Sequence, residues 1–147
     1  MKDSSVQVVE TKYGDVGKEI QARLVEDLLQ THKDVDYLVG NALMVEAAVP
    51  ILRARNLQNK VKLVSVYMSP GVYQGVKSKA IEASGSGQIV LAGRMMVDSA
   101  VRLLENKVEH RNVYTIGRVY NQDDIQKLDV NTVLAPGGFK PIFKFTP

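Results

Sequence analysis

Cysteine is absent from this 147-residue sequence, and histidine occurs only twice, at His32 and His110. Without cysteine there are no disulfides, no thiolate zinc sites and no cysteine nucleophile, and redox compartment cannot be inferred. Two histidines are too few for a histidine-rich metal site, so neither a metal nor a cofactor is expected. No apolar run is long enough to span a bilayer, so membrane insertion is not expected. The opening Met-Lys-Asp-Ser-Ser lacks the hydrophobic core of a signal peptide, which leaves a cytosolic protein or a piece of a longer chain. Excess charge is also scarce. Lys and Arg number 19 against 16 Asp and Glu, a net +3. The basic residues are spread along the chain rather than clustered, which argues against a nucleic-acid surface.

What is present suits one domain of ordinary size, 45% hydrophobic and 24% charged, able to bury a core. Residues 6–11, VQVVET, are β-branched and read as a strand. A loop through Tyr13 and Gly14 leads to Asp15, a candidate N-cap for a helix over about 16–31. Ile20, Leu24, Val25, Leu28 and Leu29 carry its helical period. A short buried strand at 36–40 precedes a helix at about 42–56, in which Pro50 should kink or break the pattern. A third strand is expected at 61–67, a short helix at 71–79 and a weaker strand at 81–84. Residues 89–106 give the strongest helical pattern, with Leu91, Met95, Val97, Ala100, Val101 and Leu104 as its apolar set and its methionines as core filler. Strands alternating with helices imply a parallel sheet and an α/β fold. Beyond His110 the pattern loosens. Short strands are expected at 113–117 and 132–134 around an acidic helix at 122–128. A turn at 135–138 and an edge strand at 139–145 follow.

Three junctions in this pattern carry polar or aromatic residues just past an apolar run: Asn41, Tyr67 and Gln88. In an open α/β sheet such junctions share the carboxyl edge, where ligands bind. Each has a plain structural alternative. Asn41 is a good helix N-cap as well as a candidate polar contact. Tyr67 is either packed at the sheet edge or an aromatic wall for a methylated nitrogen compound or a sugar. Tyr13, at the corresponding end of the first expected strand, is placed to join it. Gly85-Ser86-Gly87, before Gln88, reads as a flexible turn, a hinge or a phosphate loop. The phosphate reading is weak because Val90 stands where the third glycine should be. Asp98, Ser99 and His110 offer the residue types of a nucleophilic triad, but no Gly-x-Ser-x-Gly elbow is present, so an enzyme is not expected.

The stretches VQVVETKYGDVGKEIQARLVEDLLQTHKDVDYLVGNALMVEAAVPILRARNL and VKLVSVYMSPGVYQGVKSKAIEASGSGQ, with the following helix and its Gly93-Arg94, resemble the C-terminal half of type I periplasmic binding proteins, the ribose-binding and LacI-like superfamily. SGSGQIVLAGRMMVDSAVRLLEN and VLAPGGFKPIF are similar to the branch serving the trimethylamine N-oxide respiratory system. The resemblance implies an open parallel sheet with helices on both faces: most of a C-terminal lobe at residues 1–90, a segment crossing to the other lobe at 91–120, and a return with an edge strand at 121–147. It also implies periplasmic location, a small solute as ligand, and the sensor domain of a histidine kinase as partner. Asn41 matches the superfamily's polar contact. Tyr67 falls where sugar binders carry Asp, which favours an amine oxide such as trimethylamine N-oxide. The next contact, usually Gln, aligns with Gly87 or Gln88. Alternatives are a sugar or autoinducer carrier for an ABC transporter and a LacI-type repressor core. The resemblance further implies that the first strand of the lobe and most of the partner lobe lie outside this chain.

Overall fold

A computed structural model describes residues 4–108, 110 and 112–142. Its sheet has four strands in chain order: β1 (Tyr37–Gly40), β2 (Lys62–Ser65), β3 (Ala83–Ser86) and β4 (Arg118–Asn121). β1, β2 and β3 run parallel, with Gly40 opposite Ser65 and Ser65 opposite Ser84. β4 joins β3 antiparallel, placing Ser86 opposite Arg118 and Ala83 opposite Asn121. Among the described residues the strands are accompanied by helices α1 (Lys18–Thr31), α2 (Ala42–Ala54), α3 (Pro70–Lys77), α4 (Ile89–Leu104) and the single turn α5 (Val130–Val133).

Side chains alternate across the sheet, as the pleat requires. Leu38, Leu63, Ser65, Ser84, Ser86 and Tyr120 are buried. Helices α2 and α3 pack against this sheet, and Val45, Ala48, Leu52, Val72 and Val76 belong to the same core cluster. α1 joins by packing Val25 and Leu29 against α2. The intervening positions Tyr37, Val39 and Val119 are exposed.

The α/β alternation read from the sequence is present, with local corrections. Residues 6–11 form no strand. A strand needs a partner ladder, and this segment runs beside α1 instead, where Glu10 meets His32 at 2.6 Å and Lys12, just past it, meets Asp27 at 3.7 Å. Asp15 does not cap α1. Gly17 occupies the N-cap without a side-chain bond, while the Asp15 carbonyl accepts from Gln21 Nε2 at 2.8 Å. α2 runs on through Pro50 rather than ending there. Lacking an N–H, Pro50 leaves the Glu46 carbonyl without its usual donor.

Later in the chain, residues 113–117 form no strand, and β4 takes the next four residues, 118–121, instead. The expected helix at 122–128 contracts to a 3₁₀ turn at Ile125–Lys127, because Asn121 and Asp124 side chains bond backbone N–H groups in a tight turn. The expected strand at 132–134 is largely α5, capped by Asp129. The turn at 135–138 is present, closed by Phe139 N–H to the Pro136 carbonyl. Residues 139–142 are not in a strand, and the rest of the expected edge strand lies outside the described residues. α4 forms as expected, but none of its residues is buried, so Met95 and Met96 do not fill this chain's core.

Candidate functional site

Because β1, β2 and β3 are parallel, their carboxyl ends lie along one edge, and Asn41, Tyr67 and Gln88 all emerge there. Tyr13 is not gathered with them by any element. It is 90% exposed on the irregular segment before α1.

Asn41 is the N-cap of α2. Its Oδ1 accepts from Met44 N–H at 2.8 Å. Its side-chain NH₂ has no protein acceptor among the described residues, so the cap uses one end of the amide and leaves the other for a solute. Tyr67 lies two residues past β2, half-buried and packed against the core. Its carbonyl accepts from Ser65 Oγ at 2.7 Å, and the preceding Val66 N–H donates to the Gly40 carbonyl at 2.9 Å. The ring is therefore carried by backbone held at two points. Gln88 precedes α4 in the left-handed region, with φ 52° and ψ 52°, and its side chain makes no cap bond. A non-glycine residue there is strained by roughly 1 kcal/mol or more.

Gly85 and Ser86 belong to β3, and the chain turns toward Gln88 only at Gly87. A Cβ on Gly85 would stand 2.6 Å from the Val66 carbonyl oxygen, so β2 and β3 approach too closely for a side chain. Ser86 Oγ is buried without a hydrogen-bond partner among the described residues. Thr115 Oγ1 donates to the Gly87 carbonyl at 2.7 Å, tying the segment before β4 to the same turn.

Several supports escaped the sequence reading. Ser69 caps α3, its Oγ accepting from Val72 N–H at 3.1 Å, and it donates to Glu46 Oε1 at 2.5 Å. The Ser69-Pro70 pair is a legible cap-plus-N1 signal. Nothing local to Glu46 in the sequence marks it as Ser69's partner.

Asp98, Ser99 and His110 line one cavity of about 260 Å³, together with Val108 and Val113. Asp98 is paired with Arg102 at 2.7 Å, and Ser99 makes no hydrogen bond to His110, so no nucleophile-base arrangement is assembled. Among the described residues no cluster of three or more His, Asp or Glu is placed to hold a metal ion, and no helix is long and apolar enough to cross a membrane.

No protein-family model matches the chain. Individual proteins do. An ABC transporter solute-binding protein from Bradyrhizobium sp. BTAi1, solved with bound Bis-Tris, superposes with a TM-score of 0.85 at 43% identity over 94% of this chain and 41% of its own. A solute-binding protein from Agrobacterium vitis with bound D-fucose shares the fold alone, with a TM-score of 0.80 at 18% identity over 91% of this chain and 47% of its own. The chain has the α/β fold of the type I periplasmic binding proteins. Within that class it is similar to TorT. The periplasmic protein TorT of Escherichia coli K12 is 32% identical over 140 residues, 95% of this chain. The complex of TorT with the TorS sensor domain in the presence of TMAO matches at a TM-score of 0.89 and 28% identity, over 97% of this chain and 48% of that one. The chain spans 40% of the length of the E. coli relative.

Proposed function

We propose that this chain forms one side of the solute site of a periplasmic sensor. The sensor binds trimethylamine N-oxide and signals to the sensor domain of a histidine kinase. Tyr67 at the carboxyl end of β2 carries the reading. In the superfamily's sugar binders, the resemblance puts a carboxylate at that position to take hydroxyls. An aromatic face instead attracts the positively polarised methyl groups around a quaternary nitrogen. Asn41 would donate its NH₂ to the oxide oxygen. Gln88 is a third contact, and Tyr13 would join only once the segment before α1 is drawn to the edge. Residues 1–90 then belong to one lobe, 91–120 cross to the other and 121–147 return. Closure of the lobes on the solute would change the surface offered to the kinase, because the solute favours the closed state. The likeness to TorT over 95% of the chain supports the same reading.

Calorimetry on the intact protein tests it. Trimethylamine N-oxide should bind with a measurable heat, and ribose should not. Tight ribose binding with no response to the amine oxide overturns the proposal. A second reading, a carrier delivering a polyhydroxylated solute to an ABC transporter, is favoured by the 43% identity to the Bradyrhizobium protein. Its mark would be binding of sugars or polyols and no association with a kinase sensor domain.

A further inference from the structure

We infer that Glu46 is a positioning residue for the solute site, setting the placement of the Tyr67 loop relative to Asn41 through Ser69. The inference rests on the solute reading of that edge. Asn41 opens α2 and Tyr67 precedes α3; the Val66 N–H to Gly40 carbonyl bond registers the backbone just before both contacts, and beyond it their placement depends on how the two helices meet at their amino ends. Glu46 makes that join. It lies one turn into α2, half-buried, and accepts from Ser69 Oγ at 2.5 Å. Ser69 in turn takes the Val72 N–H and so closes the first turn of α3.

The carboxylate sits directly over Gly71. A Cβ there would be 2.5 Å from Oε1 and 2.6 Å from Cδ. Three features follow from this geometry. The negative charge rests at the amino end of α3, where the helix dipole favours it. Gly71 is the residue that lets the carboxylate come so close. The Tyr67 loop is bounded on one side by Ser65, which holds the Tyr67 carbonyl, and on the other by Ser69 held by Glu46. The second restraint reaches α2 itself through a side chain, adding to the backbone bond between Val66 N–H and the Gly40 carbonyl just before Asn41. No other ion pair or hydrogen bond engages the Glu46 side chain among the described residues.

Glu46→Ala, Glu46→Gln and Gly71→Ala in the intact protein test this. Gln keeps an oxygen acceptor for Ser69, Ala removes it, and the Gly71 change pushes the carboxylate aside without altering either contact residue. Trimethylamine N-oxide affinity should fall about fivefold or more in Glu46→Ala and Gly71→Ala and stay within about twofold in Glu46→Gln. Amide hydrogen exchange at 66–72 in the solute-free protein should quicken in the first two variants and not in the third. This second measurement needs no ligand. If wild-type protein binds no amine oxide while exchange responds as stated, the solute reading fails and the positioning role stands. Unchanged exchange in Glu46→Ala overturns the positioning role, as does a Gln variant as impaired as Ala. Should Glu46→Ala fail to fold, Ser69→Ala removes the same bond from the other side and must reproduce both effects.

Discussion

At the scale of single residues, Asn41 and Tyr67 show how one position serves fold and site together. Asn41 Oδ1 caps α2 while its NH₂ stays available. Asn41→Ala should therefore cost about 1 kcal/mol in a denaturant titration, the worth of a helix cap. Asn41→Asp keeps the capping oxygen and should leave stability nearly unchanged. It removes the donor, so solute affinity should drop about tenfold by calorimetry. The two substitutions separate cap from contact. Tyr67 divides differently. Its carbonyl is structural and its ring is the proposed recognition surface. Tyr67→Phe should bind trimethylamine N-oxide within about threefold of wild type, and Tyr67→Ala at least about tenfold more weakly, if the ring face does the work. The residue types and their places after apolar runs were legible in the sequence. That Asn41 would cap α2 through one oxygen alone was not, because a cap and a ligand contact call for the same side chain.

At the scale of elements, the junction of β2 and β3 brings a glycine against backbone rather than against a side chain. Gly85 lies against the Val66 carbonyl, which is backbone and cannot swing aside. Gly85→Ala should destabilise the fold by about 1–3 kcal/mol, as overpacking does. The expected sign in urea is a lower midpoint at an unchanged slope. Wild-type stability in that variant would mean the two strands separate easily. The elements themselves were readable where their pattern was strong. α1, α2, β1, β2 and α4 stand within a few residues of their expected bounds, since helical period and β-branched runs are properties of the local chain. The expected strand at 6–11 was misread because β-branching expresses compatibility with a sheet, and no strand lies beside it to complete the ladder. The expected strand at 132–134 became α5 because Asp129 caps that turn.

At the scale of the whole molecule, apolar surface stands uncovered among the described residues, in two places on regular elements. One is the sheet face bearing Tyr37, Val39 and Val119, with Val39 63% exposed. The other is α4, whose Met96, Val97, Leu103 and Leu104 are all exposed, Leu104 by 83%. Parallel sheets are ordinarily covered on both faces, and large exposed apolar patches drive association. The 147 residues expressed alone should self-associate or unfold at modest temperature. Sedimentation should show species larger than a monomer, and the melting temperature should rise with concentration. A sharp transition of a monomer, independent of concentration, contradicts this.

The sequence by itself determined the alternation of strands and helices, the likeness to type I periplasmic binding proteins, and the three junctions at one sheet edge. All of these depend on short windows of residues and on their order. Tertiary structure alone decided that β4 lies antiparallel beside β3, that 6–11 stays out of the sheet, and that Glu46 holds Ser69. Each of those is a meeting of segments distant in the chain, settled by which backbone and polar groups find partners once the core has closed. A local pattern carries no record of that choice.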